Sequence, residues 1–78
     1  MTTKMWMVEL ADRYEGSMAQ RVFFDYDKAS EAAHIVRGRW PDADAYSVVL
    51  RGPFVEGQDV IGDYDDPPSF EGCPTERF

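Results

Sequence analysis

Apolar residues recur along this chain with two different periods, and the switches between them divide it into elements. From Lys4 to Leu10 the period is two, with Trp6, Val8 and Leu10 on one face and Met5, Met7 and Glu9 on the other. Asp12 to Met18 then holds Glu15-Gly16-Ser17, a turn signal that predicts a hairpin loop. A second alternation covers about Gln20 to Asp25, with Val22 and Phe24 on one face and Arg21 and Phe23 on the other. From Asp27 to Trp40 the period changes to 3.6. Ala29, Ala32, Ala33, Val36 and Trp40 fall on one narrow stripe, Ile35 sits at its flank, and Lys28, Glu31 and His34 point away. The spacing predicts a helix. Asp27 is expected to accept hydrogen bonds from the first-turn N–H groups, Gly38 and Pro41 are stop signals, and Arg37 and Arg39 suit the negative end of the dipole. After the polar connection Pro41-Asp42-Ala43-Asp44, a third alternation sets Tyr46, Val48 and Leu50 against Ser47, Val49 and Arg51.

The order is therefore ββαβ, an α+β class. A right-handed crossover from the second strand to the third places the first between them. This predicts a three-stranded antiparallel sheet in the order second, first, third. One face carries the helix, with the Trp6 face of the first strand as its seat, and the other face is open. The stripe is mostly alanine, so the helix and sheet can approach closely, with Trp40 as the bulky anchor. A helix this short is marginal alone and depends on that contact.

Beyond Gly52-Pro53 the character changes. This segment holds four of the five prolines and four of the six glycines, which disfavours long regular elements. Phe54, Val55, Val60, Ile61, Tyr64, Phe70 and Phe78 are spaced along it, so it does not read as a disordered tail. A single domain over 1–78 is expected: a ββαβ core over 1–51 and an irregular, ordered wrap over 52–78. A short strand at Asp59–Asp63 and an exposed turn at Asp65-Asp66-Pro67-Pro68 are expected within the wrap.

Charge changes the picture most. Residues 1–51 carry eight acids and seven bases, whereas 52–78 carry seven acids against Arg77 alone, so nearly all of the net charge of −7 lies in the last third. Such a field repels nucleic acid and anionic membranes and attracts basic protein surfaces. The single cysteine, Cys73, permits no intrachain disulfide and no cysteine-based zinc site. A small chain without disulfides suits a reducing compartment. MTTKMWMVEL lacks a basic region followed by a long apolar run, and no apolar stretch is long enough to span a membrane. A soluble cytoplasmic protein is expected.

Candidate chemistry is sparse. His34, the only histidine, has no sequence-local partner that would make it a general base, and Cys73 has no neighbouring cation to lower its pKa. Asp63-Tyr64-Asp65-Asp66 lacks the alternating ligands, central glycine and terminal glutamate of a calcium loop. There is no phosphate-cradling glycine loop, no nucleophile elbow and no basic cluster. The expectation is a protein that is not an enzyme, with no cofactor, no metal and no direct nucleic-acid contact.

What remains is the acidic, aromatic-studded last third. Carboxylates on a folded surface can imitate the spacing of phosphates and occupy a basic groove built for DNA or RNA. The candidate partner-binding residues are Glu56, Asp59, Asp63, Asp65, Asp66 and Glu71, with Tyr64 and Phe70 as aromatic anchors and Asp42 and Asp44 extending the patch. In overall plan (this size, a ββαβ pattern, no catalytic residues, a strongly acidic surface) the sequence resembles the small phage-encoded anti-CRISPR proteins. It shares no diagnostic motif with them, so no family residues carry over. Several of those proteins act as nucleic-acid mimics on the CRISPR surveillance complex. The resemblance thus implies an inhibitor working in a host cytoplasm, with a basic nucleic-acid-binding protein or complex as partner. The alternative is a structural or assembly protein that pairs through an exposed sheet edge or the open sheet face. Arg21, Phe23, Met5 and Met7 would then matter more than the acids.

Overall fold

A computed structural model describes residues 3–57 and 74–78. The elements run β1 (Met5–Asp12), β2 (Gly16–Phe23), α1 (Tyr26–Arg39), β3 (Tyr46–Phe54) and β4 (Thr75–Arg77). They form one sheet in the order β2-β1-β3-β4 with every neighbouring pair antiparallel. The expected α+β class and the second-first-third order are present, and β4 adds a strand on the outer side of β3.

The core lies where the two periods meet. Val8 and Leu10 of β1 and Val48 and Leu50 of β3 pack against Ala29 and Ala33 of α1, both of which are fully buried. Because those two helix positions carry only a methyl group, the helix backbone can sit close to the sheet. Trp6, Phe23, Ala32, Val36, Trp40, Tyr46 and Phe78 close the margins of this cluster. Burying a Val or Leu here contributes about 1.5–3 kcal/mol per side chain. Trp40 packs edge-on against Tyr46, with ring centroids 5.0 Å apart.

Several local expectations are corrected. The hairpin loop is shorter than Asp12–Met18, and β2 begins at Gly16 and ends at Phe23 rather than covering Gln20 to Asp25. Asp12 explains this: its Oδ1 accepts hydrogen bonds from the backbone N–H groups of Tyr14 (2.7 Å) and Glu15 (3.3 Å) and folds the chain at once. Gly16, at φ +85°, then returns it into the sheet. The register slips between Leu10 and Ala11, because Leu10 pairs with Ala19 while Ala11 pairs with Ser17, leaving Met18 as the extra residue of a bulge.

The helix cap is Asp25, not Asp27. Asp25 has extended φ/ψ, and its Oδ1 accepts from the N–H groups of Asp27 (2.8 Å) and Lys28 (3.3 Å). Asp27 sits in the first turn, where its charge still meets the positive end of the dipole. Gly38 lies inside the helix, which stops at Arg39, so Pro41 is the effective breaker.

Arg21 and Phe23 share a face, as expected, and it is the helix face: they pair with Val8 and Trp6, and Phe23 packs against the core. Of the residues weighed for the sheet-pairing alternative, these two therefore lie away from the open face of Met5 and Met7.

The chain does not leave the sheet at Gly52-Pro53. β3 continues to Phe54, past an irregularity opposite Met5–Met7. Gly52 has φ +142°, and a methyl group there would lie 2.7 Å from Trp6 Cδ1 and 2.8 Å from the Met5 carbonyl oxygen. Only glycine fits. Its N–H donates to the Pro74 carbonyl (2.8 Å), and the Phe78 N–H donates to the Val48 carbonyl (2.9 Å), tying β4 to β3 from both sides. The expected strand at Asp59–Asp63 and turn at Asp65–Pro68 lie outside the described residues.

Candidate functional site

The two long edges of the sheet are built differently. The β4 edge is three residues long and carries Glu76 and Arg77. It is held from the helix at two points. Tyr26 Oη donates to Glu76 Oε2 at 2.9 Å, a hydrogen bond that, with slight burial and the nearby negative charge, raises the Tyr26 pKa above the ordinary tyrosine value. Arg37, near the end of α1, donates to three backbone carbonyls. Nε and Nη2 reach the Phe78 oxygen at 3.1 and 2.8 Å, and Nη1 reaches Trp40 (2.9 Å) and Tyr46 (3.2 Å). The His34 ring stands edge-on to Phe78, with centroids 4.8 Å apart.

The β2 edge is eight residues long, and all of it is exposed except Phe23. Among the described residues it pairs with β1 alone, and its outer side carries backbone donors and acceptors that β1 does not use. It has one charged residue, Arg21, and no proline. Apolar side chains stay in solvent along it: Met18 (45 % exposed), Val22 (48 %) and, just beyond, Phe24 (70 %).

Between β2 and α1 runs an open cleft of about 520 Å³. It arises because the helix seats over β1 and β3, where the buried core residues lie, and leaves β2 uncovered. Val8, Leu10 and Phe23 line it from the sheet, and Ala32, Ile35 and Val36 from the helix. Ile35 is 53 % exposed, an apolar side chain facing water over an apolar cleft. Among the described residues, Arg21 and Arg39 also line the cleft and no acidic residue does. Both arginines are exposed, and neither makes a hydrogen bond or ion pair among the described residues.

The face away from the helix carries a polar chain that takes one residue from each strand. Gln20 Nε2 donates to Glu9 Oε2 (2.7 Å), Arg51 stands 3.7 Å from the other Glu9 oxygen, and Arg51 Nη1 donates to Thr75 Oγ1 (3.1 Å). Arg51 is buried and its Nε has no hydrogen-bond partner among the described residues, which marks this as a structural ion pair under tension between desolvation and attraction.

Of the sequence-predicted site residues, three are described. Asp42 uses its carboxylate locally, accepting from the N–H groups of Asp44 (3.0 Å) and Ala45 (3.3 Å) to shape the turn into β3. Asp44 is exposed, and its backbone carbonyl accepts from Arg13 Nη1 (3.3 Å). Glu56 is exposed in the turn after β3. Asp42 and Asp44 therefore precede a nine-residue strand and Glu56 follows it, which puts them on the order of 30 Å apart. The structure does not bring these three together. Asp59, Asp63, Tyr64, Asp65, Asp66, Phe70 and Glu71 lie outside the described residues.

Arg39, Ile35 and Met18 carried no sequence signal for a shared site, because the cleft depends on where the helix sits across the sheet. Their only traces were Ile35 at the flank of the apolar stripe and the shortage of charge in the second strand. Among the described residues no group of three or more His, Cys, Asp or Glu side chains is arranged to hold a metal, and no helix is long and apolar enough to cross a membrane. No protein-family model matches the chain, and no curated protein or solved structure matches it.

Proposed function

We propose that this chain is a non-catalytic protein-binding module that takes up an extended segment of its partner along β2 as a fifth strand. The observation that carries this reading is the β2 edge: eight residues, one charge, apolar side chains left in water, and an apolar cleft beside it. Strand addition supplies affinity through backbone hydrogen bonds, and the pockets beside the edge supply selectivity. Folded proteins ordinarily blunt such edges with charge, proline or shortness, as β4 is blunted here. Partner identification by cross-linking in host lysate, followed by hydrogen exchange on the purified complex, tests it. The expected outcome is new protection of the amides of Ala19–Phe23. Protection confined to other segments would overturn the β2 reading.

A second reading is favoured by the charge distribution. Seven acids against one base in residues 52–78 suit a mimic of nucleic acid that occupies a basic groove on its partner, in the manner of the anti-CRISPR proteins the sequence resembles. In that case Asp63, Asp65 and Asp66 changed together to Asn lose binding, and the wild-type chain competes with labelled DNA for the partner, less so as salt rises. Simultaneous binding of DNA and this chain would overturn it.

A further inference from the structure

We infer that the segment accepted on β2 carries both apolar and acidic side chains on the side that faces the cleft, and that Arg21 and Arg39 select it. The inference rests on the reading of β2 as a docking edge and adds the chemistry of what docks. A strand laid beside β2 sends every second side chain to the helix face, toward the cleft. There it meets Ile35, Val36 and Phe23, surfaces that favour apolar groups, and the two arginines. The chain as a whole carries a net charge of −7, yet among the described residues the cleft has two cations, no anion and no partner for either cation.

Filling the cleft with a neutral or basic segment strips water from Arg21 and Arg39 and gives nothing back. A carboxylate on the segment restores that interaction and can do so with two parallel hydrogen bonds per guanidinium. The same cations argue against a second copy as occupant. Pairing of β2 with β2 of another molecule assembles four arginines around the seam, with no acid among the described residues of either cleft. Polyanionic nucleic acid is opposed by the overall charge and by the apolar lining.

The experiment is a fluorescence-anisotropy titration of the whole chain with three labelled seven-residue peptides. In each, serine fills the positions that face away from the cleft, and the positions that face it alternate valine with glutamate in one, valine with lysine in the second and valine with serine in the third. Each is measured at low and high salt. The expected order is glutamate over serine over lysine, narrowing at high salt. Arg21→Glu or Arg39→Glu should each weaken the glutamate peptide about tenfold, and the double reversal should invert the preference toward the lysine peptide. Both side chains are exposed, so thermal melts of the variants should match the wild type and exclude misfolding as the cause. Equal binding of all three peptides, unchanged by the reversals, overturns the charge selection and leaves the docking edge standing. Failure of every peptide to bind or to protect the β2 amides overturns both. Displacement of the glutamate peptide by an oligothymidylate at equal concentration would show that the arginines read negative charge alone, and that too would overturn the acidic-strand proposal.

Discussion

One sheet carries two edges of opposite design. At β4 the edge is short and charged, and the helix holds it through Tyr26 and Arg37. At β2 the edge is long, nearly uncharged and covered by nothing from the helix but the margin of an open cleft. Both edges flank the same core, so the difference does not follow from any need of the fold to be closed. Stability is invested on the β4 side, and exposed apolar surface is left on the β2 side.

That contrast can be broken most severely at Gly52, which supports the β4 side. Gly52→Ala should cost roughly 2–4 kcal/mol, from a φ that side chains rarely adopt and a clash with backbone that cannot yield. A thermal melt checks it; for a chain this small each kcal/mol is about 4–8 °C in Tm. The disturbance should reach the amides of Thr75–Phe78 and spare those of β2. Next in size is Arg37→Met, which keeps the apolar stem but removes the donors to Phe78, Trp40 and Tyr46. About 1.5–3 kcal/mol is expected from denaturant unfolding.

The other edge should behave in the opposite way. Met18→Lys with Val22→Lys should shift stability by no more than about 0.5 kcal/mol, because both side chains are exposed. The same pair should abolish binding of any partner that adds to β2, read by the hydrogen-exchange footprint on the complex. A double lysine variant that binds normally would erase the functional half of the contrast.

The smallest effect is a titration. Tyr26 holds its proton more tightly than a free tyrosine because it donates to Glu76. A group with a raised folded pKa contributes stability that is fully present below its unfolded value, about 10, and is lost as pH rises through the folded value. The β4 edge should therefore loosen only in alkali, while β2 is unaffected. The difference in phenolate absorbance between wild type and Tyr26→Phe isolates this titration, and Glu76→Gln should move it back down.

The periodicities of Trp6-Val8-Leu10, Tyr46-Val48-Leu50 and the alanine stripe were enough to read the first and third strands, the helix and its seat, whereas the second strand was read at Gln20–Asp25 and lies at Gly16–Phe23. They are local patterns enforced by burial on one face. The cap was misplaced by two residues because Asp25 and Asp27 are both acids at the right distance from the stripe, and only backbone geometry separates them. The strand Thr75–Arg77 was illegible for a different reason. Three polar residues show no period, and what holds them is pairing with β3 and side chains 24 and 50 residues away in sequence. The cleft was invisible for a third reason, since a helical wheel gives the face a helix buries but not its lateral position over the strands. Asp42 shows the same limit on a single residue: counted as surface charge, it turned out to be committed to its own loop.

The Arg37 contact has a bearing on time as well as on strength. It joins the helix to Phe78, 41 positions further along the chain, whereas the β1–β2 hairpin and α1 close over short loops. Contacts of such separation form after the local ones, since the chain entropy they consume is recovered only once the rest is in place. Interactions absent from the transition state act on the rate of unfolding and leave the rate of folding nearly unchanged. Arg37 is therefore a latch on the lifetime of the folded molecule: without it the chain should reach the native state as quickly and stay there for less time.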